Sequence, residues 1–304
     1  MTNKSMNALI LSAGIGKRMQ PITVHIPKPL LPIVNRTLIE LQIERLSEQG
    51  IAHFGVNLFH HSRLIQRELK KINNIEIEIE IEDEILGTGG ALGNFKKWSD
   101  DNFYVQACDM ITDLPITDFR KRHKENKAIA TIALIKTGTS TDNIEINGQN
   151  DLVKVHDQAT PDRYTYAGAA VYSPEIFSFL PDRPIFSVVD LWYNVQAHGR
   201  KINTLVINNK WFNINTPGSY LDIVEKVLNN DFIITGQNFE APVYIHESSR
   251  VGAYIKGFAC IGANCIIEEP VSLENVIVLR NTHLSTGDYH NAVISDQFQC
   301  SCEI

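Results

Sequence analysis

Apolar positions along the chain change their period several times, and each change marks an element. Residues 7–14, NALILSAG, form a short apolar run closed by a small-residue turn, which predicts a buried strand. In LIELQIERLSEQG, Leu38, Leu41, Arg45 and Leu46 fall at helical spacing and the pattern stops at Gly50. That predicts an amphipathic helix with a glycine just past its end. HFGVNLF predicts the next strand and HSRLIQRELKKI the next helix. From Ile75 to Glu82 isoleucine and glutamate alternate strictly, as in a strand with one buried and one wet face, before the glycine-rich loop LGTGGAL. NFYVQACDMITDLP predicts a strand ending on Asp109, and AIATIALIKT another buried strand. Strands alternating with helices specify an α/β fold with a parallel sheet. Ligands of open α/β sheets gather at the carboxyl ends of the strands, where Gly14, Gly87, Thr88, Gly89, Gly90 and Asp109 all fall, so these residues are expected to converge.

The pattern differs after the helix SYLDIVEKVLNN, and a boundary is expected near residue 235. Val251-Gly252-Ala253 and Ile261-Gly262-Ala263 recur ten residues apart, with aliphatic residues about every six. Short strands separated by small-residue turns suit a hexapeptide β-helix, with a small irregular β-sandwich as the alternative. Aliphatic rows of this kind leave strand edges that a partner covers, which points to a homo-oligomer formed through residues 236–304.

Composition narrows the partners. The 304 residues carry 28 basic and 35 acidic side chains, a net charge of -7, which disfavours a nucleic acid partner but permits a small anion held by local cations. No apolar run is long enough to span a membrane, and MTNKSMNALILSAG lacks a long enough apolar segment for a secretion signal, so a cytoplasmic protein is expected. Five cysteines make an odd count without a disulfide or zinc spacing, and Cys300-Ser-Cys302 reads as a reduced tail rather than a metal site.

Residues 11–32, LSAGIGKRMQPITVHIPKPLLP, concentrate glycines, cations and prolines directly after the first strand. Position 19 is Met19, so the dinucleotide fingerprint fails, and no glycine precedes a Lys-Ser/Thr pair, so this is not a P-loop. What remains is a loop whose amides can cradle oxyanions, followed by Arg18, whose planar fork suits phosphate oxygens. Lys28 sits between Pro27 and Pro29, a flexible cation on a stiff base.

Gly-x-Gly-x-Arg-Met-x-Pro-x-Thr followed by Pro-Lys-Pro-Leu resembles the signature of the sugar-1-phosphate nucleotidyltransferases, or NDP-sugar pyrophosphorylases. LGTGGAL looks like that family's nucleobase loop, QACDM like the strand end bearing its metal-binding aspartate, YTYAGAAVYSP like its sugar-binding strand, and WFNINTPGSYL like its Trp-x-Asp-x-Gly-Thr-Pro segment. The nearest branches in look are the mannose- and heptose-1-phosphate guanylyltransferases and the N-acetylmuramate-1-phosphate uridylyltransferases. The resemblance implies a Rossmann-like mixed, mostly parallel sheet in residues 1–235 and a short left-handed β-helix in residues 236–304. It implies a nucleoside triphosphate and a sugar-1-phosphate as substrates, Mg²⁺ as cofactor, and catalysis by positioning and charge neutralisation. Arg18, Lys28 and Asp109 are the implied catalytic residues. Leu11, Ala13, Gly14, Gly16, Glu84, Gly87, Thr88, Gly89 and Gly90 are implied to bind the nucleotide, with the base lying against Gly89 and Gly90. Gly168 and Asn213 are implied to meet the sugar, and Asp109 and Asn213 the metal.

Three positions depart from the pattern. Asn213 replaces the second metal-binding aspartate, Asn215 replaces a glycine, and the family's Glu-Lys sugar-phosphate pair has no clear match, although Asp157, Arg163 or a lysine elsewhere could substitute. A carboxylate at Glu84 could accept the N1 and N2 hydrogens of guanine, which favours GTP, with UTP next. Glu82, Asp83 and Glu84 together read as the solvated end of a strand. A catalytically silent subunit that binds a sugar nucleotide is the alternative in a different class.

Overall fold

The computed structural model describes residues 6–98, 100–234, 239 and 242–302. The expected boundary near residue 235 therefore lies outside the described residues. The chain divides into two compact units, the first made of Met1–Gly14 with Arg45–Trp211 and the second of Ile15–Glu44 with Phe212–Ile304.

The first unit is built on a sheet of strands β1 (Asn7–Leu11), β2 (His53–Leu58), β3 (Glu76–Ile81), β4 (Phe103–Ala107), β5 (Ala130–Ile135), β6 (Thr165–Tyr172) and β7 (Ile202–Val206). Their order is β7-β5-β6-β4-β1-β2-β3. β1 is parallel to β2 and β4, β2 to β3, and β5 to β7, while β6 runs antiparallel to both of its neighbours. The sheet is thus mixed and mostly parallel. Ala8, Leu9 and Ile10 of β1 are fully buried, as a strand near the middle of a covered parallel sheet requires.

Helices in this unit include α2 (Ser62–Leu69), α3 (Gly87–Gly93), α4 (Ile116–Glu125) and α5 (Val188–Ala197), and α1 (Leu38–Glu48) enters it at Arg45. Leu9, Phe103, Val105, Ile132 and Leu134 pack with Trp192 of α5 and Tyr172 of β6. The buried Trp192 Nε1 donates to the Tyr172 hydroxyl at 3.1 Å, which gives the indole N–H its partner inside the core.

Three local expectations change. LGTGGAL is not a loop but most of a helix, α3. The strand before Asp109 ends at Ala107, which places Asp109 in the tight link to a short strand, Met110–Thr112. β3 is an edge strand whose isoleucines are only half covered, with Ile81 54% exposed, while Glu82 beyond its end is buried at 6%. The strictest alternation in the chain thus marks the least buried strand of the sheet.

In the second unit, α6 (Pro217–Leu228) starts with reciprocal capping between Thr216 and Ser219 and with Pro217 in its first turn. The tail contributes β8 (Val243–Ile245), β9 (Arg250–Val251), β10 (Tyr254–Ile261), β11 (Ile266–Ile267), β12 (Ser272–Val278), β13 (His283–Leu284), β14 (Asp288–Ser295) and β15 (Phe298–Ser301). The buried face of α6, with Tyr220, Leu221, Val224 and Val227, packs across β10, β12 and β14.

The tail is a coiled stack of parallel strands rather than a sandwich. Val243 pairs with Ala259, Ala259 with Val276 and Val276 with Ala292, so each coil takes 16 or 17 residues, less than three regular hexapeptides. β9, β11 and β13 form a second parallel row, and β15 turns back antiparallel on β14. Corners need a left-handed backbone. Gly257, Asn275 and Asn291 supply it at one corner, with φ of 66°, 54° and 45°, and Asn264 and Asn281 at another, with 59° and 60°. Asparagine tolerates that conformation, and here the side chains also bond along the stack. Asn275 Nδ2 donates to Asn291 Oδ1 at 3.1 Å and Asn264 Nδ2 to Asn281 Oδ1 at 3.2 Å.

Candidate active site

In the first unit the carboxyl ends of β1 and β4 lie side by side, with Leu11 opposite Ala107. The Cys108 amide extends the ladder by donating to the Leu11 carbonyl at 3.0 Å, and Asp109 follows, half-buried. Gly168 has φ 73° within a register shift of β6. A Cβ there would lie 2.4 Å from Met110 Cγ and 3.4 Å from Ala107 Cβ. The glycine therefore lets β6 close onto the residues flanking Asp109, and the structure brings Leu11, Asp109 and Gly168 to one place.

The glycines of α3 answer to packing. A Cβ at Gly89 would lie 2.5 Å from the Ser187 carbonyl oxygen, and one at Gly90 2.3 Å from that of Pro184. The amides of both donate to the Phe186 carbonyl, at 3.0 and 3.1 Å, and the Val188 amide donates to Thr88 Oγ1 at 3.1 Å. Residues 184–187 thus fill the Cβ side of Gly89 and Gly90. Gly87, at φ 78°, makes the turn into the helix with its Cβ side facing the Phe186 carbonyl at 2.6 Å. Gly14 is different. No described residue approaches its Cβ position within 4 Å, so the protein's own packing does not require a glycine there.

A chain of hydrogen bonds missed by the sequence reading links these segments. The Ser12 amide donates to Asn57 Oδ1 at 2.8 Å, Asn57 Nδ2 to Glu82 Oε1 at 2.7 Å, and the Leu86 amide to Glu82 Oε2 at 3.1 Å. Buried Asn57 and Glu82 thus tie the turn carrying Ala13 and Gly14 to the start of α3. The acidic trio divides accordingly: Asp83 and Glu84 are exposed, but Glu82 is not a solvated strand end. The available signal was a polar Asn57 inside the apolar run HFGVNLF.

In the part of the first unit expected to meet the sugar, Asp157 is exposed and Arg163 Nη1 donates to the Gln158 carbonyl at 2.6 Å. Among the described residues neither forms an ion pair of the expected Glu-Lys type. Nearby in sequence, Asp142 is buried at 1%. Burial alone would raise its pKa, but the hydroxyls of Thr165 and Thr137 and the amides of Thr137 and Gly138 donate to it and hold it below the usual carboxylate range.

The second unit holds Gly16, Arg18, Lys28 and Asn213. Gly16 has φ 72°, its carbonyl accepts the buried Thr23 hydroxyl at 2.8 Å, and the Thr23 methyl would lie 2.9 Å from a Cβ at Gly16. Arg18 is exposed on the one-turn helix Lys17–Met19, which is anchored by fully buried Met19. Lys28 is half-buried on the turn Lys28–Leu30, between buried Pro27 and Pro29. Asn213 is half-buried, and its Oδ1 accepts no hydrogen bond from any described residue.

No group of three or more His, Cys, Asp or Glu among the described residues could by itself cage a metal. Mg²⁺ does not need one, since it takes one or two protein oxygens and completes its shell with water and phosphate. The Asp109 carboxylate in the first unit is a hard donor of that type, and so, in the second unit, is the Asn213 amide oxygen, which no described residue bonds. All five cysteines are free and buried, and burial pushes the Cys302 thiol up to about 12. No described helix is long and apolar enough to cross a membrane.

A family model described as Nucleotidyl transferase matches residues 7–230. The UTP–glucose-1-phosphate uridylyltransferase of Synechocystis sp. is 25% identical over 93% of this chain and 85% of its own. The probable mannose-1-phosphate guanylyltransferase 2 of Oryza sativa subsp. japonica is 27% identical over 92% of this chain and 82% of its own. Among solved structures, HddC from Yersinia pseudotuberculosis superposes with a TM-score of 0.62 at 23% identity, covering 73% of this chain and 99% of its own. A putative glucose-1-phosphate thymidylyltransferase from Bacillus anthracis does so with 0.65 at 18%, covering 78% and 100%. These structural likenesses establish the fold alone, the same mixed sheet. With the family's model matched from the first residue of β1 to just beyond α6, the chain belongs to the nucleotidyl transferase family, an enzyme family.

Proposed function

We propose that the protein makes an NDP-sugar and pyrophosphate from a nucleoside triphosphate and a sugar-1-phosphate. The observation that carries this reading is Asp109 at the carboxyl end of the sheet, held by β1, β4 and β6 in a chain whose residues 7–230 match the family. A sugar phosphate oxygen attacks the α-phosphorus in line, the bond to the β-phosphate oxygen breaks, and pyrophosphate leaves. The nucleophile is already anionic near neutral pH, so positioning and charge neutralisation supply the catalysis. The Gly16 loop and Arg18 hold the triphosphate and the leaving pyrophosphate, and Lys28 neutralises charge at the α-phosphate. Asp109 and Asn213 would hold Mg²⁺, which when bound offsets phosphate charge. Leu11, Ala13, Gly14, Glu84, Gly87, Thr88, Gly89 and Gly90 would receive the nucleotide, and the strand around Gly168 the sugar.

GTP is the favoured donor, from the exposed carboxylate of Glu84, with UTP next. The C-terminal coils are assigned a left-handed sense and a role in forming a homo-oligomer, with residues 1–235 carrying the chemistry. The test is pyrophosphate release in Mg²⁺ with GTP, UTP, CTP, ATP and dTTP, each against a panel of sugar-1-phosphates. One pair should turn over, and Asp109→Ala and Lys28→Ala should each reduce the rate by about 10²-fold or more. A second reading, a silent subunit that binds a sugar nucleotide, is favoured by the uncharged Asn213. Nucleotide binding without pyrophosphate release from any pair would establish it instead.

A further inference from the structure

Strand β4 carries an anomaly next to Asp109. Tyr104 and Gln106 lie on the same face of the strand, two residues apart, and are 1% and 3% exposed. Burying a glutamine amide is costly unless both of its ends are bonded. Here both are: the Tyr104 hydroxyl donates to Gln106 Oε1 at 2.8 Å, and Gln106 Nε2 donates to the Met110 carbonyl at 3.1 Å. A carbonyl can only accept, so the NH₂ end must face Met110 and the oxygen must face the tyrosine. The amide has one permitted orientation.

The bond from Gln106 to Met110 spans the link that contains Asp109. It joins the residue before Ala107 to the residue after Asp109, and so closes a small ring around Ala107, Cys108 and Asp109. The same link is pinned on one side by the Cys108 amide on Leu11 and on another by Gly168 against the Met110 side chain. An apolar residue at 106 would fill the space without closing that ring.

We propose that Gln106, oriented by Tyr104, is a positioning residue that sets the geometry of the Asp109 carboxylate toward Mg²⁺; this rests on the reading of Asp109 as a metal-binding residue. Partners that orient a metal ligand typically account for ten- to hundredfold in metal affinity, and Gln106 acts through the backbone, so about tenfold is expected.

The test titrates the full-length chain with Mn²⁺ and follows water-proton relaxation. The Asp109-dependent part of the signal is the part lost in Asp109→Ala. Gln106→Met keeps the volume and removes the donor; Tyr104→Phe removes the group that orients it. Gln106→Met is expected to weaken Asp109-dependent Mn²⁺ binding by about tenfold and Tyr104→Phe by less, with folding unchanged by circular dichroism. In the pyrophosphate assay, raised Mg²⁺ should restore turnover of Gln106→Met, which loss of stability alone would not produce. If Gln106→Met does not fold, Tyr104→Phe decides. Unaltered Asp109-dependent binding in the variants would overturn the positioning role and leave the metal reading intact. Absence of any Asp109-dependent Mn²⁺ binding in the wild-type protein would overturn both.

Discussion

Replacing glycine by alanine twice within α3 should give opposite signs. At Gly93 an added Cβ meets only a methyl of Leu180, at 3.8 Å, an ordinary contact. Alanine there gains helix propensity and reduces the freedom of the unfolded chain, a stabilisation of about 0.5–1 kcal/mol. At Gly90 the added Cβ lies 2.3 Å from the Pro184 carbonyl oxygen and 3.0 Å from Leu86 Cβ. The first contact is about 1 Å too close, and the obstacle is backbone that cannot rotate away. Its neighbours are tied to α3 through the Phe186 carbonyl and amide. Overpacking of this kind costs up to about 3 kcal/mol, and the propensity gain offsets about 1, which leaves a loss of about 2 kcal/mol. For a unit of this size that lowers Tm by about 4–8 °C, against a rise of a few degrees for Gly93→Ala. Thermal unfolding of both variants by far-UV circular dichroism is the assay. A Gly90→Ala protein as stable as Gly93→Ala would refute the claim that these glycines exist for packing against residues 184–187.

Two further outcomes follow from buried polar groups. Glu82→Ala removes the acceptor of both the Asn57 amide and the Leu86 N–H and should cost about 1–3 kcal/mol, whereas Asp83→Ala and Glu84→Ala should stay within about 0.5 in the same urea titration. His123 is 1% exposed, with Nδ1 3.0 Å from Thr131 Oγ1, and burial lowers its pKa from 6.5 to about 4. The unfolded chain takes up a proton near pH 6.5 that the folded chain refuses until about pH 4. Stability should therefore fall as pH drops through that window, by about 3 kcal/mol at its lower end. His123→Gln should lack this slope, and an identical pH profile would sink the assignment.

Strands β1, β2, β4 and β5 were legible because strands covered on both faces leave apolar runs such as NALIL and ATIALI, whereas β7, with the sequence INTLV, was not read. Asp109 was legible through its setting just past a strand end, and Gly168, inside β6, only through the family resemblance of YTYAGAAVYSP. The helix Gly87–Gly93 was not: four of its seven residues are glycine, the poorest helix former short of proline, and packing against residues 184–187 overrides propensity. Nor was Glu82, since charge predicts exposure and only the fold reveals the Asn57 waiting for it. Grouping of residues 15–44 with the tail depends on contacts between distant segments, which no local period encodes. In the tail the glycine repeats were visible, but the steadier signal was asparagine, at 264 and 281 and at 275 and 291, spaced by one coil.

The reversed last strand of that tail acts as punctuation. A stack of parallel coils has no intrinsic length: each coil offers the next an identical edge, and the Asn275–Asn291 and Asn264–Asn281 rows would accept another asparagine at the same spacing. Because β15 turns back on β14, a further coil running in the direction of β14 would meet it antiparallel, out of step with the parallel rows. Counting thus stops at a strand written backwards. Inserting one extra coil ahead of β14 should lengthen the stack without disturbing its end, whereas deleting β15 would turn a finished column into one still open to addition.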